Sequence, residues 1–284
     1  MAIDIYKIVT DRIIEQLEKG VIPWRKTWAG AAPINFVTRK SYRGINLLLL
    51  PFGGEYMTFK QALDTGGHVK KGEKAHMVVF YKTVEKESEN GKKETFPVMR
   101  YSNVFHISQI DGIESKCEPA KLNDIHPIQA AETALNKYIA SSGVTLKNVD
   151  GSNEAFYKPS TDTIILPIPG QFESAEEYYG TAFHETAHST GHESRLNRFN
   201  KNDKIAAFGS KEYSREELTA EITAAMVLNF IGIEVQKTFE NSVAYIQSWS
   251  RHLREDTKSI VKASSMAQKA TDLILNIQAT EQSI

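Results

Sequence analysis

His184-Glu185-Thr186-Ala187-His188 reads as H-E-x-x-H, and its surroundings predict that it lies on a helix. Residues four apart on a helix share one face, so both imidazoles can reach a single metal ion. Glu185, next to the first histidine, is placed as general base toward a water that such an ion activates. Ser174 and Glu177 read as an S-x-x-E capping box at the helix start, and Gly191 as its left-handed stop. A helix that carries two histidines and a glutamate by chance is the bland alternative. The capped context favours a zinc site.

A third protein ligand is expected from a second helix, within Ser214-Arg215-Glu216-Glu217-Leu218-Thr219-Ala220-Glu221. Ser214 and Glu217 read as another capping box, which gives Glu217 a local role. Glu221 lies on one stripe with Leu218, Ala225 and Leu228, where a carboxylate is costly unless it is paired or holds a metal. Glu221 is therefore the expected third ligand, with Glu217 one turn earlier and His192 just past Gly191 as rivals. Two histidines and one glutamate leave a tetrahedral zinc with an open, catalytic position. A structural zinc is closed by four ligands, usually cysteines, and the sequence holds one cysteine, Cys117. The expectation is one Zn²⁺ per chain and hydrolytic chemistry.

A length of 284 residues suggests two domains, and 41% hydrophobic with 24% charged residues is ordinary for a globular protein. The single cysteine excludes an intrachain disulfide and fits a reducing compartment. No apolar run approaches the length that spans a bilayer, and Met1 to Lys7 lacks the features of a signal peptide. A cytoplasmic protein with no membrane partner is expected. Net charge of -1 hides an asymmetry: residues 1–117 hold 18 Lys+Arg against 13 Asp+Glu, and the remainder 16 against 22. That balance fits an anionic partner for the first half, and equally a solvated surface.

Residues 4–19 place Ile5, Ile8, Val9, Ile13, Ile14 and Leu17 at helical spacing, ended by Gly20. Tyr56 to Thr65 reads as a short helix stopped by Gly66-Gly67. Met77 to Val84 and Val98 to His106 read as strands, with polar Glu85 to Glu94 as a solvated hairpin loop. The expected organisation is α+β: a small antiparallel-sheet domain over 1–117, a linker at 118–125, and a mainly helical domain with a short sheet over 126–284. In the second domain, a helix at Pro127 to Ala140 precedes strands at Ala155 to Tyr157 and Thr163 to Leu166. A strand beside the H-E-x-x-H helix can bind a peptide by strand addition, or be an ordinary sheet strand. A polar stretch with Arg195, Arg198, Lys201 and Lys204 follows that helix. A long helix is expected from Asn241 to Ile277, with Asp256 either solvated or orienting a metal-bound histidine.

Aromatic and cationic residues interleave in Pro23-Trp24-Arg25-Lys26-Thr27-Trp28. They do so again in Arg39-Lys40-Ser41-Tyr42-Arg43-Gly44-Ile45-Asn46, and Lys70, Lys71 and Lys74 form a basic turn. Rings that stack on bases, with cations that follow the phosphates, are what single-stranded DNA requires. Trp24, Arg25, Lys26, Trp28, Arg39, Lys40, Tyr42, Arg43, Asn46, Lys70, Lys71 and Lys74 are therefore the candidate nucleic-acid contacts. Core anchoring is the alternative for the tryptophans.

These segments, with Met57-Thr58-Phe59-Lys60-Gln61-Ala62 and Gly66-Gly67-x-Val69-Lys70-Lys71-Gly72-Glu73-Lys74, resemble the amino-terminal domain of ArdC-type antirestriction proteins, found also in plasmid primase proteins. The second half is similar to the same family through His184-Glu185-x-x-His188-Ser189-Thr190-Gly191-His192, Phe208-Gly209-Ser210, Glu216-Glu217-Leu218-x-Ala220-Glu221 and Tyr245-Ile246-x-x-Trp249. The resemblance implies a domain that binds single-stranded DNA followed by a zincin-like metallopeptidase domain. It implies carriage on mobile elements that move by conjugation, and protection of incoming DNA from restriction. It places His184, Glu185, His188 and Glu221 in the metallopeptidase pattern. The leading expectation is a DNA-tethered zinc peptidase acting on an unknown, DNA-bound protein substrate. Its rival is a protein that masks single-stranded DNA on a zinc scaffold, and Glu185 discriminates, because a scaffold needs no carboxylate there.

Overall fold

The structure is a computed structural model that describes residues 4–19, 23, 32–51, 53–87, 93–117, 127–150, 152, 154–172, 174–199, 211–233 and 243–278. The first helix, α1 (Ile5–Glu18), is N-capped by Asp4, which accepts from Lys7 N at 3.2 Å. Its apolar stripe buries Val9, Ile13, Ile14 and Leu17, as helical spacing dictates. After β1 (Ile34–Asn35), Gly44 at φ 57° turns the chain into the short α2 (Ile45–Leu49). Tyr56 begins no helix. Glu55–Met57 is a strand, β2, and α3 (Phe59–Asp64) starts behind a capping box in which Thr58 Oγ1 accepts from Gln61 N and Gln61 Oε1 from Thr58 N.

β3 (His68–Val69) pairs with β6 (Ile110–Asp111). β4 (His76–Glu87) and β5 (Lys93–His106) form an antiparallel ladder from His76↔Val104 to Glu87↔Lys93. Glu85 to Glu87, expected in a hairpin loop, thus belong to the ladder, opposite Thr95, Glu94 and Lys93. The main sheet runs β1-β2-β5-β4, with β1 and β2 parallel. Beyond α4 (Pro127–Ser142), β7 (Thr145–Val149), β8 (Phe156–Lys158) and β9 (Thr163–Pro167) form a second sheet in the order β7-β9-β8. The helices α5 (Ala175–Ser189), α6 (Lys211–Ile231), α7 (Val243–Glu255) and α8 (Ser259–Leu275) complete the fold. The long helix expected to Ile277 is two helices, broken where Asp256 Oδ1 accepts from Lys258 N at 3.0 Å. Among the described residues no helix is long and apolar enough to cross a membrane.

The core does not divide as the sequence suggests. One buried cluster joins Val9, Ile13 and Leu17 of α1, Leu47 to Leu50, and Met77, Val79 and Val104 of the sheet to Leu218, Ile222, Met226, Trp249, Leu253 and Ile260 of the carboxy-terminal helices. Polar ties follow the same seam: Arg43 pairs with Asp272, Gly44 N donates to Gln268 Oε1 at 3.0 Å, and Thr10 Oγ1 to Thr257 O at 2.7 Å. The expected linker at 118–125 lies outside the described residues. A second cluster gathers Tyr138, Ile164, Leu166, Phe183, Val227 and Leu228. It seats α5 on β8, β9 and α6, which positions the site.

Candidate metal centre

α5 begins as its sequence demands. Ser174 accepts from Glu177 N at 3.2 Å, and Glu176 and Glu177 meet the positive end of the helix. Its end differs from expectation. Thr190 closes the helix in right-handed geometry, and Gly191 is not left-handed. The glycine is there for space: a Cβ at Gly191 would lie 2.5 Å from the Phe199 ring. That close approach folds residues 191–199 back over α5, where Arg198 donates to Ala187 O at 2.9 Å and Thr190 Oγ1 at 2.7 Å. Arg195 pairs with Asp162 and donates to Ser189 O at 2.8 Å, so both arginines tie the turn to the site. Lys201 and Lys204 lie outside the described residues.

His184 Nε2 and His188 Nε2 point at one place, 3.2 Å apart. Glu217 brings Oε2 to 3.6 Å from His184 Nε2 and Oε1 to 3.6 Å from His188 Nε2. These three residues form a group whose ligating atoms lie within 4.8 Å of one another, and Glu221, the expected third ligand, is outside it. α6 starts at Lys211, three residues before Ser214, so Glu217 lies within the helix and its carboxylate reaches the two histidines of α5. Ligands at 2.0–2.1 Å from a tetrahedral ion stand about 3.3 Å from one another, so the two nitrogens are spaced to hold one. Among the described residues His184 Nδ1 is buried without a hydrogen-bond partner, and it is Nε2 that faces His188 and Glu217. The donor set of two imidazoles and a carboxylate fits a divalent metal.

Glu216, overlooked in the sequence, orients the second histidine. Its Oε1 lies 3.2 Å from His188 Nδ1, and Arg198 grips it with contacts of 2.6 and 3.0 Å. Burial would raise the Glu216 carboxyl, but His188 and Arg198 outweigh it and hold it below the ordinary range. An ionised carboxylate only accepts, so Nδ1 carries the proton and Nε2 turns its lone pair to the site. Asp256 has no such part: it pairs with Arg215 at 3.0 Å. His192 Nδ1 is engaged by Ser194 Oγ at 2.8 Å. Glu185 is buried, 8% exposed, and its charge acts on His184.

Burial alone would push His184 down, but the close Glu217 carboxylate and the charges of Glu185 and Glu221 lift it to about 9. An imidazole raised from about 6.5 when unfolded stabilises the metal-free fold fully below that pH and loses the effect as pH rises through about 9. Metal-free protein should therefore melt at falling temperature between pH 6.5 and 9, measured by scanning calorimetry in chelator. A saturating divalent ion, taking the proton's place, should flatten that slope. A melting temperature that rises over the same window would refute the assignment.

Among the described residues, the candidate nucleic-acid contacts are not gathered into one site. Trp24, Arg25, Lys26 and Trp28 lie outside the described residues. Tyr42 is buried edge-on to Tyr56, with ring centroids 6.1 Å apart, which removes its face from any base. Asn46 is buried too, accepting from Val79 N at 2.7 Å and donating to Val79 O at 2.8 Å, so it caps the edge of β4. These two readings are corrected: both side chains are committed to the core. Arg43 pairs with Asp272, and Arg39 with buried Glu55, which also accepts from Ser115 Oγ and Lys116 N at 2.8 Å. Lys70 donates to Ser108 O at 2.8 Å, Lys40 is half-buried, and Lys71 and Lys74 are exposed.

An H-E-x-x-H helix seated on a sheet that ends in the antiparallel strand β8, with an acidic second helix facing it, defines the zincin-like metallopeptidase class. Residues 133–266 match the family described as zincin-like metallopeptidase, and residues 3–105 match the N-terminal domain of anti-restriction factor ArdC. The crystal structure of antirestriction ArdC protein from the R388 plasmid, metal-free, is similar over 98% of this chain and 100% of that one, at 34% identity and a TM-score of 0.75. Its Mn(II)-bound structure gives 35% identity and 0.76. This chain belongs to the ArdC family of antirestriction proteins. Uncharacterized protein y4eC of Sinorhizobium fredii (strain NBRC 101917 / NGR234) is 32% identical over 95% of this chain and 91% of its own length. DNA primase TraC of Escherichia coli is 36% identical over 95% of this chain, which spans only 20% of that protein.

Proposed function

We propose that this protein is a zinc-dependent peptidase that works on single-stranded DNA, cutting a DNA-bound protein substrate. The convergence of His184 Nε2, His188 Nε2 and Glu217 beside buried Glu185 carries the reading. His184, His188 and Glu217 would hold the ion, and a set of two imidazoles and one carboxylate suits zinc. Bound there, the ion supplies Lewis-acid polarisation of a carbonyl and acidifies water. Glu185 takes the proton at its carboxylate and returns it to the leaving amine. Glu216 and Arg198 fix the His188 ring. A substrate strand would lie along β8, whose one ladder partner among the described residues is β9.

Metal analysis of purified protein tests the centre. Near-stoichiometric zinc is expected, lost in His188→Ala and in Glu217→Ala, and kept in Glu221→Ala. Full occupancy in Glu217→Ala with loss in Glu221→Ala would return the third ligand to the later glutamate.

Single-stranded DNA binding is the second part of the reading, supported by membership of the ArdC family and by the excess of cations in residues 1–117. Tethering to DNA raises the peptidase's effective concentration at DNA-bound targets.

A further inference from the structure

Tyr42 is buried, but the described surface offers another row of rings. Tyr81 on β4 is 57% exposed and Tyr101 on β5 is 43% exposed, although Val79 opposite Tyr101 and Met99 opposite Tyr81 are buried. Cross-strand partners face the same side of a ladder, so the pairs Tyr81↔Met99 and Val79↔Tyr101 put both tyrosines on one face as diagonal neighbours. Such neighbours stand about 7–8 Å apart, within reach of aromatic side chains. The row continues onto α1, where the Tyr6 hydroxyl lies 3.1 Å from that of Tyr81. Lys258 Nζ stands 5.5 Å from the Tyr6 ring centroid, while Lys82 and Arg100, next to the two tyrosines along their strands, belong to the opposite face of the ladder.

We propose that Tyr6, Tyr81 and Tyr101, with Lys258 beside them, form a stacking platform for single-stranded DNA. The inference rests on the single-strand reading above and supplies its location. One exposed tyrosine on a strand needs no explanation, since tyrosine suits strands and scattered apolar surface is normal. Three adjoining rings with the Lys258 ammonium at one end match what an unpaired strand needs: faces for its bases and charge for its phosphates. Duplex DNA hides those base faces. The row bridges α1, the sheet and the α7–α8 turn, so the shared core holds it rigid.

Fluorescence anisotropy of the full chain with labelled oligothymidine tests the platform. Tyr81→Ala and Tyr101→Ala should each weaken binding about tenfold, and Tyr101→Phe should stay within about twofold, because the ring does the stacking. Melting temperatures should stay near wild type, since both rings are exposed. If wild type binds tightly and the alanine variants bind equally well, the platform is overturned while the single-strand reading stands. If Tyr101→Phe loses as much as Tyr101→Ala, hydroxyl contacts rather than stacking carry the binding, and the platform is again wrong. If wild type does not bind at all, the single-strand reading itself fails.

Discussion

Glu185→Gln should keep the fold and the metal while cutting peptide hydrolysis by about 10²–10⁴-fold, the usual worth of a positioned general base. The substitution is nearly isosteric, so the buried site keeps its packing. Glu185 is not among the residues whose ligating atoms converge, so metal stoichiometry should hold. What vanishes is the ability to take a proton. Because the charge of Glu185 helps to raise His184, the variant should also bring the His184 titration down from about 9. That shift, read by imidazole NMR of metal-free protein, reports the lost charge independently of turnover. Protection of incoming DNA supplies the biological readout. If the variant protects as well as wild type, masking of single strands, not proteolysis, accounts for antirestriction.

The part of the site written on one helix was legible in the sequence. The cap at Ser174 and the i, i+4 spacing of His184 and His188 are local facts, and α5 has them where expected. What failed was nonlocal. Ser214 and Glu217 have the letters of a capping box, but Arg215 reaches Asp256, Arg198 reaches Glu216, and α6 extends back past Ser214. Gly191 was read through its backbone freedom, when the Phe199 ring eight residues on explains it. Tyr42 and Arg43 stand in a basic, aromatic segment that looks exposed. Their partners, Tyr56 and Asp272, lie one strand and more than two hundred residues away. The amphipathic stripe of α1 was plain, but no pattern within it names Leu253 and Ile260 as its partners.

That shared core makes a strong prediction for residues 1–117 in isolation: they should not reach the packed state they have in the full chain. Truncation removes Leu218, Ile222, Met226, Trp249, Leu253 and Ile260 from a single cluster and leaves Val9, Ile13, Leu17 and Leu47 facing water. Burying one such side chain contributes about 1.5–3 kcal/mol, and a whole domain is stable by only about 5–15 kcal/mol. Losing several at once exceeds that margin. The fragment should show broad, uncooperative melting and bind a hydrophobic dye, measured by circular dichroism and dye fluorescence. In the full chain, Ile222→Ala and Leu253→Ala should each cost about 2–5 kcal/mol, and the transition should move as one unit rather than split. A fragment that melts cooperatively near the temperature of the full chain would show two independent domains, and the seam would then be a docking face. The outcome also bears on DNA binding. Lys258 stands over Tyr6 from the far side of that seam, so a fragment lacking the carboxy-terminal helices lacks the cation of the platform and the support beneath its first ring.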